Sequence, residues 1–470
     1  MEPLTRTQPG RASGMWSRTP ATGQRTFFGH PIGLAYLCFT EAWERFSFSG
    51  MQTMLVLYMV GALLKPGHIE HVEGMVTFRH VLGVVYGPLQ GQPLSSVIFG
   101  LYTGLVFFTP VFGGLLGDRV FGQRRVVIAG AVLMAIGHFL MAFEASFLLA
   151  LLLLIIGSGC LKGNISTQVS SLYGSDAEDS RRASGFQIFS AGINSGIILA
   201  PLVCGTLGEV YGWDYGFGAA GVGMLVGLLI YLAGQRHLPP DQMVTAREKM
   251  PVAPLDRRLL EVLAGVFILT TCFLILGGQL GNVYGLWLHS SVDRKCFGII
   301  IPVTWFQSLT PLFTVCITPL VLRMWRHQAS SSREPGLMTK MCVGLFIGSG
   351  ALLWLAILAY FAGPFQPVFW MLLIPTHILI CISYLLVWPV GLALFSSVAP
   401  TGAKGMFIGI FFLSSFVASN IVGWTGAFYQ TMPAASFWFM QAAIGSCGGL
   451  LALIFRGRWS RLMLSANDER

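Results

Sequence analysis

Glu41, Glu44 and Arg45 fall within one run, Glu41-Ala42-Trp43-Glu44-Arg45-Phe46, in a stretch that is otherwise apolar. An ionisable group at the centre of a membrane-spanning helix costs about 2.5 to 3.5 kcal/mol on insertion scales, so three together imply a task that needs them. On a helix Glu41 lies one turn from both Glu44 and Arg45, and the three side chains share one sector. A fourth charge, Lys162 in Gly159-Cys160-Leu161-Lys162-Gly163-Asn164, sits in the second half of another apolar run and brings the set to two minus and two plus. A proton arriving at either carboxylate would free a cation to hold an anionic group. A network that only fixes helix register fits less well, because desolvation tends to cancel what a buried ion pair gains.

The elements that position these charges follow from composition. With 54% hydrophobic and 10% charged residues, and a mean hydropathy of +0.69, the chain cannot present a solvated globular surface. Its apolar runs are continuous over about 20 residues and do not alternate, which argues for helices and against a β-barrel. Spans are expected near 32–62, 95–117, 125–143, 147–172, 185–208 and 215–234, and, after a charged, proline-containing stretch, near 258–287, 300–325, 338–362, 368–395, 404–427 and 434–455. The reading is an all-α membrane protein with twelve transmembrane helices in two six-helix bundles, 32–234 and 258–456, joined by a linker over 235–257 and flanked by tails over 1–31 and 457–470. That linker is too short for two further spans.

Setting aside Arg45 and Lys162, 23 of the remaining basic residues fall on the side of the termini and linker and four on the other, Lys65, Arg79, Arg294 and Lys295. Both termini are therefore expected in the cytoplasm, in a multi-pass protein of the cell membrane. The net charge of +9 is explained by a basic face beside anionic lipid and calls for no nucleic acid. The first apolar run carries charges and no A-x-A-type site follows it, so a cleaved leader is not expected. The nine cysteines lack CxxC spacing and read as small apolar packers. His68, His71 and His80, in the long connection 65–92, lack metal-site spacing, and a loop with partial helix is expected there. His138 and His377 lie in spans without a nucleophile motif and read as packing or pore-lining residues, and HExxH and GxSxG are absent. A polytopic enzyme is the weakest reading, and no metal or cofactor is expected.

Several motifs together give the chain a family resemblance. Glu41-x-x-Glu44-Arg45-Phe46 is similar to the ExxERF signature of the proton-dependent oligopeptide transporter family of the major facilitator superfamily. Gly113-Gly114-Leu115-Leu116-Gly117-Asp118-Arg119 resembles that superfamily's loop between spans two and three. Lys162 with Asn164-Ile165-Ser166, Phe189 with Ile193-Asn194-x-Gly196, Trp305-Phe306-Gln307-Ser308-Leu309-Thr310-Pro311, and Pro389-Val390-Gly391-Leu392 followed by Ala399-Pro400 resemble family motifs of the fourth, fifth, eighth and tenth helices.

The resemblance implies the major facilitator fold and a monomer that imports di- and tripeptides with protons by alternating access, driven by the proton gradient alone. Glu41, Glu44, Arg45 and Lys162 would handle the proton. Lys162 and Arg45 would meet the substrate carboxylate, Asn194 and Gln307 would bond the peptide, and Trp305 and Trp388 would wall side-chain pockets. Departures matter as much. Phe48 and Phe107 stand where the family usually has tyrosines, Gln52 and Gly278 where it often has a gate ion pair, and Tyr384 where the tenth helix usually has a glutamate. Those three aromatics complete the expected substrate site, and Tyr384 with Gly278 predicts weak recognition of a free amine. A proton-antiporting drug or metabolite exporter of the same superfamily is the alternative.

Overall fold

A computed structural model describes residues 26–173, 179–241, 257–331, 333–362, 366–398 and 404–468. Among them twelve helices are long and apolar enough to cross a membrane: α1 (Gly33–Leu63), α2 (Gly91–Phe121), α3 (Gln123–Leu140), α4 (Glu144–Ser171), α5 (Arg181–Val210), α6 (Trp213–His237), α7 (Arg257–Gly281), α8 (Val303–Ser330), α9 (Leu337–Phe361), α10 (Trp370–Ser397), α11 (Met406–Gln430) and α12 (Ala434–Met463). Helices satisfy every backbone group internally, which is what the hydrocarbon demands of such apolar runs. The expected spans are met to within a few residues at most ends. The last helix runs past the expected boundary at 456, because Trp459 remains buried against the α7 end. The tail expected over 1–31 is structured by its end: Thr26–Phe27 pairs antiparallel with His30–Pro31, and His30 is buried against Tyr173. Most of the linker, 242–256, and the Ala399-Pro400 pair lie outside the described residues.

The two halves repeat one packing scheme. α1 packs on α5 and α6, as α7 does on α11 and α12. α3 packs on α4 and α6, as α9 does on α10 and α12; α2 meets α4 as α8 meets α10. The halves then join through α2 against α11 and α5 against α8, a pair of contacts that the same six-helix shift interchanges. One hydrophobic core fills the first half around Met51, Met54, Leu154 and Phe217. The second half has two, around Trp287 and Trp438 at the end away from the termini and around Leu259 and Trp459 at the other.

Where α2 crosses α11 the backbones nearly touch. A Cβ on Gly100 would lie 2.7 Å from the Cα of Gly423, so both positions must be glycine for the helices to approach this closely. Beside that crossing, Gln92 donates to the Gly426 carbonyl at 3.0 Å, Ser96 to Asn282 at 3.0 Å, and Gln279 to the Val422 carbonyl at 3.1 Å. These buried side chains belong to both halves, and their bonds knit the end away from the termini. A second seam closes the α5–α8 side there. Glu209, at the end of α5, accepts from the Val303 and Thr304 backbone N–H groups and from the Thr304 hydroxyl, each at 2.8 Å. It caps the first turn of α8 from the opposite half, where a carboxylate meets the unpaired N–H groups and the positive end of the helix dipole. Arg294 stands 3.9 Å from the same carboxylate.

At the terminal side, α5 and α8 instead flank a cavity of about 520 Å³ lined by Gln187, Leu322, Trp325, Arg326, Ala329 and Glu334. The connection after α1 holds a short apolar helix, Met75–Tyr86, in keeping with the partial helix expected there. His68 and His71 of that connection both meet Glu144 at the start of α4, at 2.6 and 3.4 Å.

Candidate functional site

Glu41, Glu44 and Arg45 lie on the inner face of α1, where Glu44 is fully buried and Glu41 nearly so. Helical spacing delivers Arg45 to both acids: its Nε is 3.1 Å from Glu41 Oε1 and pairs with Glu44 Oε2. Their common sector, expected from periodicity, is what the structure shows.

Lys162 departs from expectation. The electrical balance suggested a lysine held against the same carboxylates, yet its Nζ makes no ion pair or hydrogen bond among the described residues. It lies instead over two rings, 4.4 Å from the centroid of Phe48 and 4.9 Å from that of Phe107. Arg45 is the ion-pair partner of both acids. The ammonium from α4 then meets aromatic faces, whose negative quadrupole attracts a cation without supplying an acceptor. Phe48 is shared, since the Arg45 guanidinium carbon sits 5.5 Å from the same ring, and it stacks on buried Tyr102 of α2. The two departures from tyrosine thus form a clamp that holds a buried positive charge with its hydrogen-bonding capacity unspent.

The other expected site residues sit on other helices. Asn164, two residues along the motif from Lys162, donates to the Gly113 carbonyl at 2.9 Å and fixes α4 to α2. Asn194 donates to Ser190 of its own helix at 2.8 Å. From the second half, Trp388 of α10 packs on Phe411 and Phe412 of α11, with centroids 4.8 and 5.7 Å apart. Tyr384 is half-buried against Phe273 of α7.

Trp305 and Gln307 stand elsewhere, in the seam between halves. Trp305 donates its indole N–H to Thr206 of α5 at 2.7 Å, and Gln307 donates to the Thr53 carbonyl of α1 at 3.4 Å. Thr310 of the same motif bonds His377 at 2.8 Å, while Tyr284 holds its other nitrogen at 3.0 Å, so His377 is a tied packing residue. His138 is fully buried, and neither ring nitrogen is hydrogen-bonded among the described residues.

Glu209 escaped the sequence reading. It lies one residue beyond the expected end of the fifth span, and only the fold reveals the helix end it caps. The one available signal was an acid at a span end facing an approaching helix start.

A family model described as the POT family matches residues 124–248 and 252–439. The chain belongs to the POT family. The Glu41–Phe46 motif precedes the matched residues. The chain is 29% identical to the peptide transporter YePEPT of Yersinia enterocolitica, over 88% of this chain and 90% of that one. It is 27% identical to a di-/tripeptide transporter of Lactococcus lactis subsp. cremoris, over 94% and 98%. Among solved structures, the peptide transporter POT in complex with sulfate superposes with a TM-score of 0.81 at 27% identity, covering 93% of this chain and 97% of that one. A mutant form in complex with alafosfalin gives the same values. These POT-family structures share the fold derived above, the major facilitator arrangement of two six-helix bundles.

Proposed function

We propose that this POT-family protein is a proton-coupled symporter that imports short peptides, di- and tripeptides in the first instance, by alternating access of its two bundles, with both termini in the cytoplasm. The observation that carries the reading is the pairing of two buried carboxylates to one arginine beside a lysine that has no acceptor among the described residues. Protonating Glu41 or Glu44 leaves Arg45 with one partner too few and raises the net charge of the site by one. A substrate carboxylate restores the balance by accepting from Lys162, and Arg45 completes its coordination. Loading of proton and anion is thereby mutually favourable, which is the thermodynamic content of symport.

The basic-residue asymmetry supports cytoplasmic termini; with that orientation the seams at Glu209 and at Gly100–Gly423 lie on the outer side and the α5–α8 cavity on the inner one. The relatives' names, peptide and di-/tripeptide transporters, support the substrate class. The test is uptake of labelled di- and tripeptides into liposomes carrying the purified protein, under an inward-acid gradient and under its reverse. Accumulation only under the inward-acid gradient is the expected result. Expulsion of substrate as protons enter would replace symport by antiport.

A further inference from the structure

A cation stands unpaired at the terminal side of the molecule. The cavity of about 520 Å³ between α5 and α8 is lined by Gln187 of α5, by Leu322, Trp325, Arg326 and Ala329 of α8, and by Glu334 of the connection that follows. The acid in this lining is already matched. Glu334 pairs at 2.5 Å with Lys340 of α9, and that buried ammonium lies 4.3 Å from the centroid of the Trp325 ring. Arg326, in contrast, is exposed and makes no ion pair or hydrogen bond among the described residues. The cavity wall therefore carries one positive charge that its own lining does not compensate, beside the Gln187 amide and the apolar surface of Leu322 and Trp325.

Helix spacing leads from this cavity toward the middle of the molecule. Ala191 and Asn194 follow Gln187 by four and seven residues, so the three lie along one face of α5. The uncovered positions along and beside that face, Ser190, Ala191 and Ser195, are small or polar, which suits a water-filled path better than contact with lipid. A cavity of a few hundred Å³ accommodates a short peptide. Its guanidinium can meet a carboxylate with two parallel bonds, and the neighbouring amide adds a donor.

We propose that this cavity is a second carboxylate site, an inner station at which a short peptide that has left Lys162 is held by Arg326 and Gln187 before its release on the terminal side. The inner station presupposes the symport reading and extends its path. A carboxylate that leaves one cation for another nearby gives up less than one that returns directly to bulk water, so the station eases departure from the central lysine.

Intact cells and inverted membrane vesicles, both carrying the full chain, present its two faces separately. Half-saturation of labelled Ala-Phe exchange is measured from each face for the wild type, Arg326→Gln and Arg326→Lys, with protein amounts matched by immunoblot. Arg326→Gln is expected to raise the half-saturating concentration about fivefold from the face that bears the termini and to leave the other face unchanged. Arg326→Lys, which keeps the charge, is expected to recover part of that loss. Unchanged values at both faces, or equal rises at both, would overturn the inner site. So would a variant with wild-type exchange whose purified form is no longer stabilised against heat by phosphatidylglycerol, since the cavity would then hold a lipid headgroup. Failure of the wild type to concentrate peptide under an inward-acid gradient is a separate result; it removes the symport reading and the inner station with it.

Discussion

The two halves of this molecule are built alike and charged differently. α1 packs on α5 and α6 as α7 packs on α11 and α12, yet α1 carries Glu41, Glu44 and Arg45 in its inner face, whereas α7 presents Thr270 and Thr271 along its buried middle. The second half is thus an internal control. Among the described residues the second half builds the same six-helix bundle with its ion pairs, Lys340 with Glu334 and Arg458 with Glu261, at the span ends and none in the middle of a span. Since buried pairs in mid-span are poor stabilisers, their presence on one side only is better explained by proton and anion handling than by packing. The seams fit the same division, for they join the halves through glycines, amides and one cap, leaving the buried ion pairs of α1 out of the joint.

The largest expected effect comes from breaking the charged half. Arg45→Leu strands two buried carboxylates and is expected to cost about 3 to 5 kcal/mol, seen as a marked fall in melting temperature. The control is Thr270→Val in α7, where a buried hydroxyl without a partner among the described residues is replaced by a methyl of like shape. That change is expected to shift stability by less than about 1 kcal/mol in either direction. Equal losses in the two variants would remove the contrast.

Next in size, Lys162→Gln keeps the fold but loses the charge between Phe48 and Phe107. A charge-assisted hydrogen bond contributes about 1.5 to 3 kcal/mol, so affinity for a carboxylate substrate is expected to fall about ten- to a hundredfold by calorimetry, with the melting temperature of the empty protein little changed. Unaltered affinity would free the lysine from substrate recognition.

A smaller effect is expected at the seam. Glu209→Ala leaves the α8 start uncapped, a loss of about 1 to 2 kcal/mol, and only in the conformation that is closed away from the termini. Spin-label distances between the distal ends of α5 and α8 are expected to gain a longer population. A single unchanged distance would show that the cap does not hold the seam.

Much of this was legible in advance, for identifiable reasons. Twelve spans follow from apolar run length, which is a local property, and Arg45 could be paired with Glu41 and Glu44 because all three share one helix. What escaped depends on helices meeting. Phe48 and Phe107 registered as lost hydroxyls, and only the approach of α4 to α1 and α2 makes them the rings on which Lys162 rests. Trp305 and Gln307, read as pocket residues from their motif, stand in the seam because α8 begins against α5. The Glu209 cap joins residues 94 and 95 positions apart in the chain, and no local pattern announces it.

The central claim is that a buried carboxylate of the first half couples a proton to an anionic substrate. Glu44→Gln, reconstituted in liposomes beside the wild type, tests it most directly through labelled peptide uptake under an inward-acid gradient and exchange of peptide without one. The account predicts that the variant still exchanges peptide but no longer concentrates it. A Glu44→Gln protein that accumulates peptide uphill as the wild type does would contradict it.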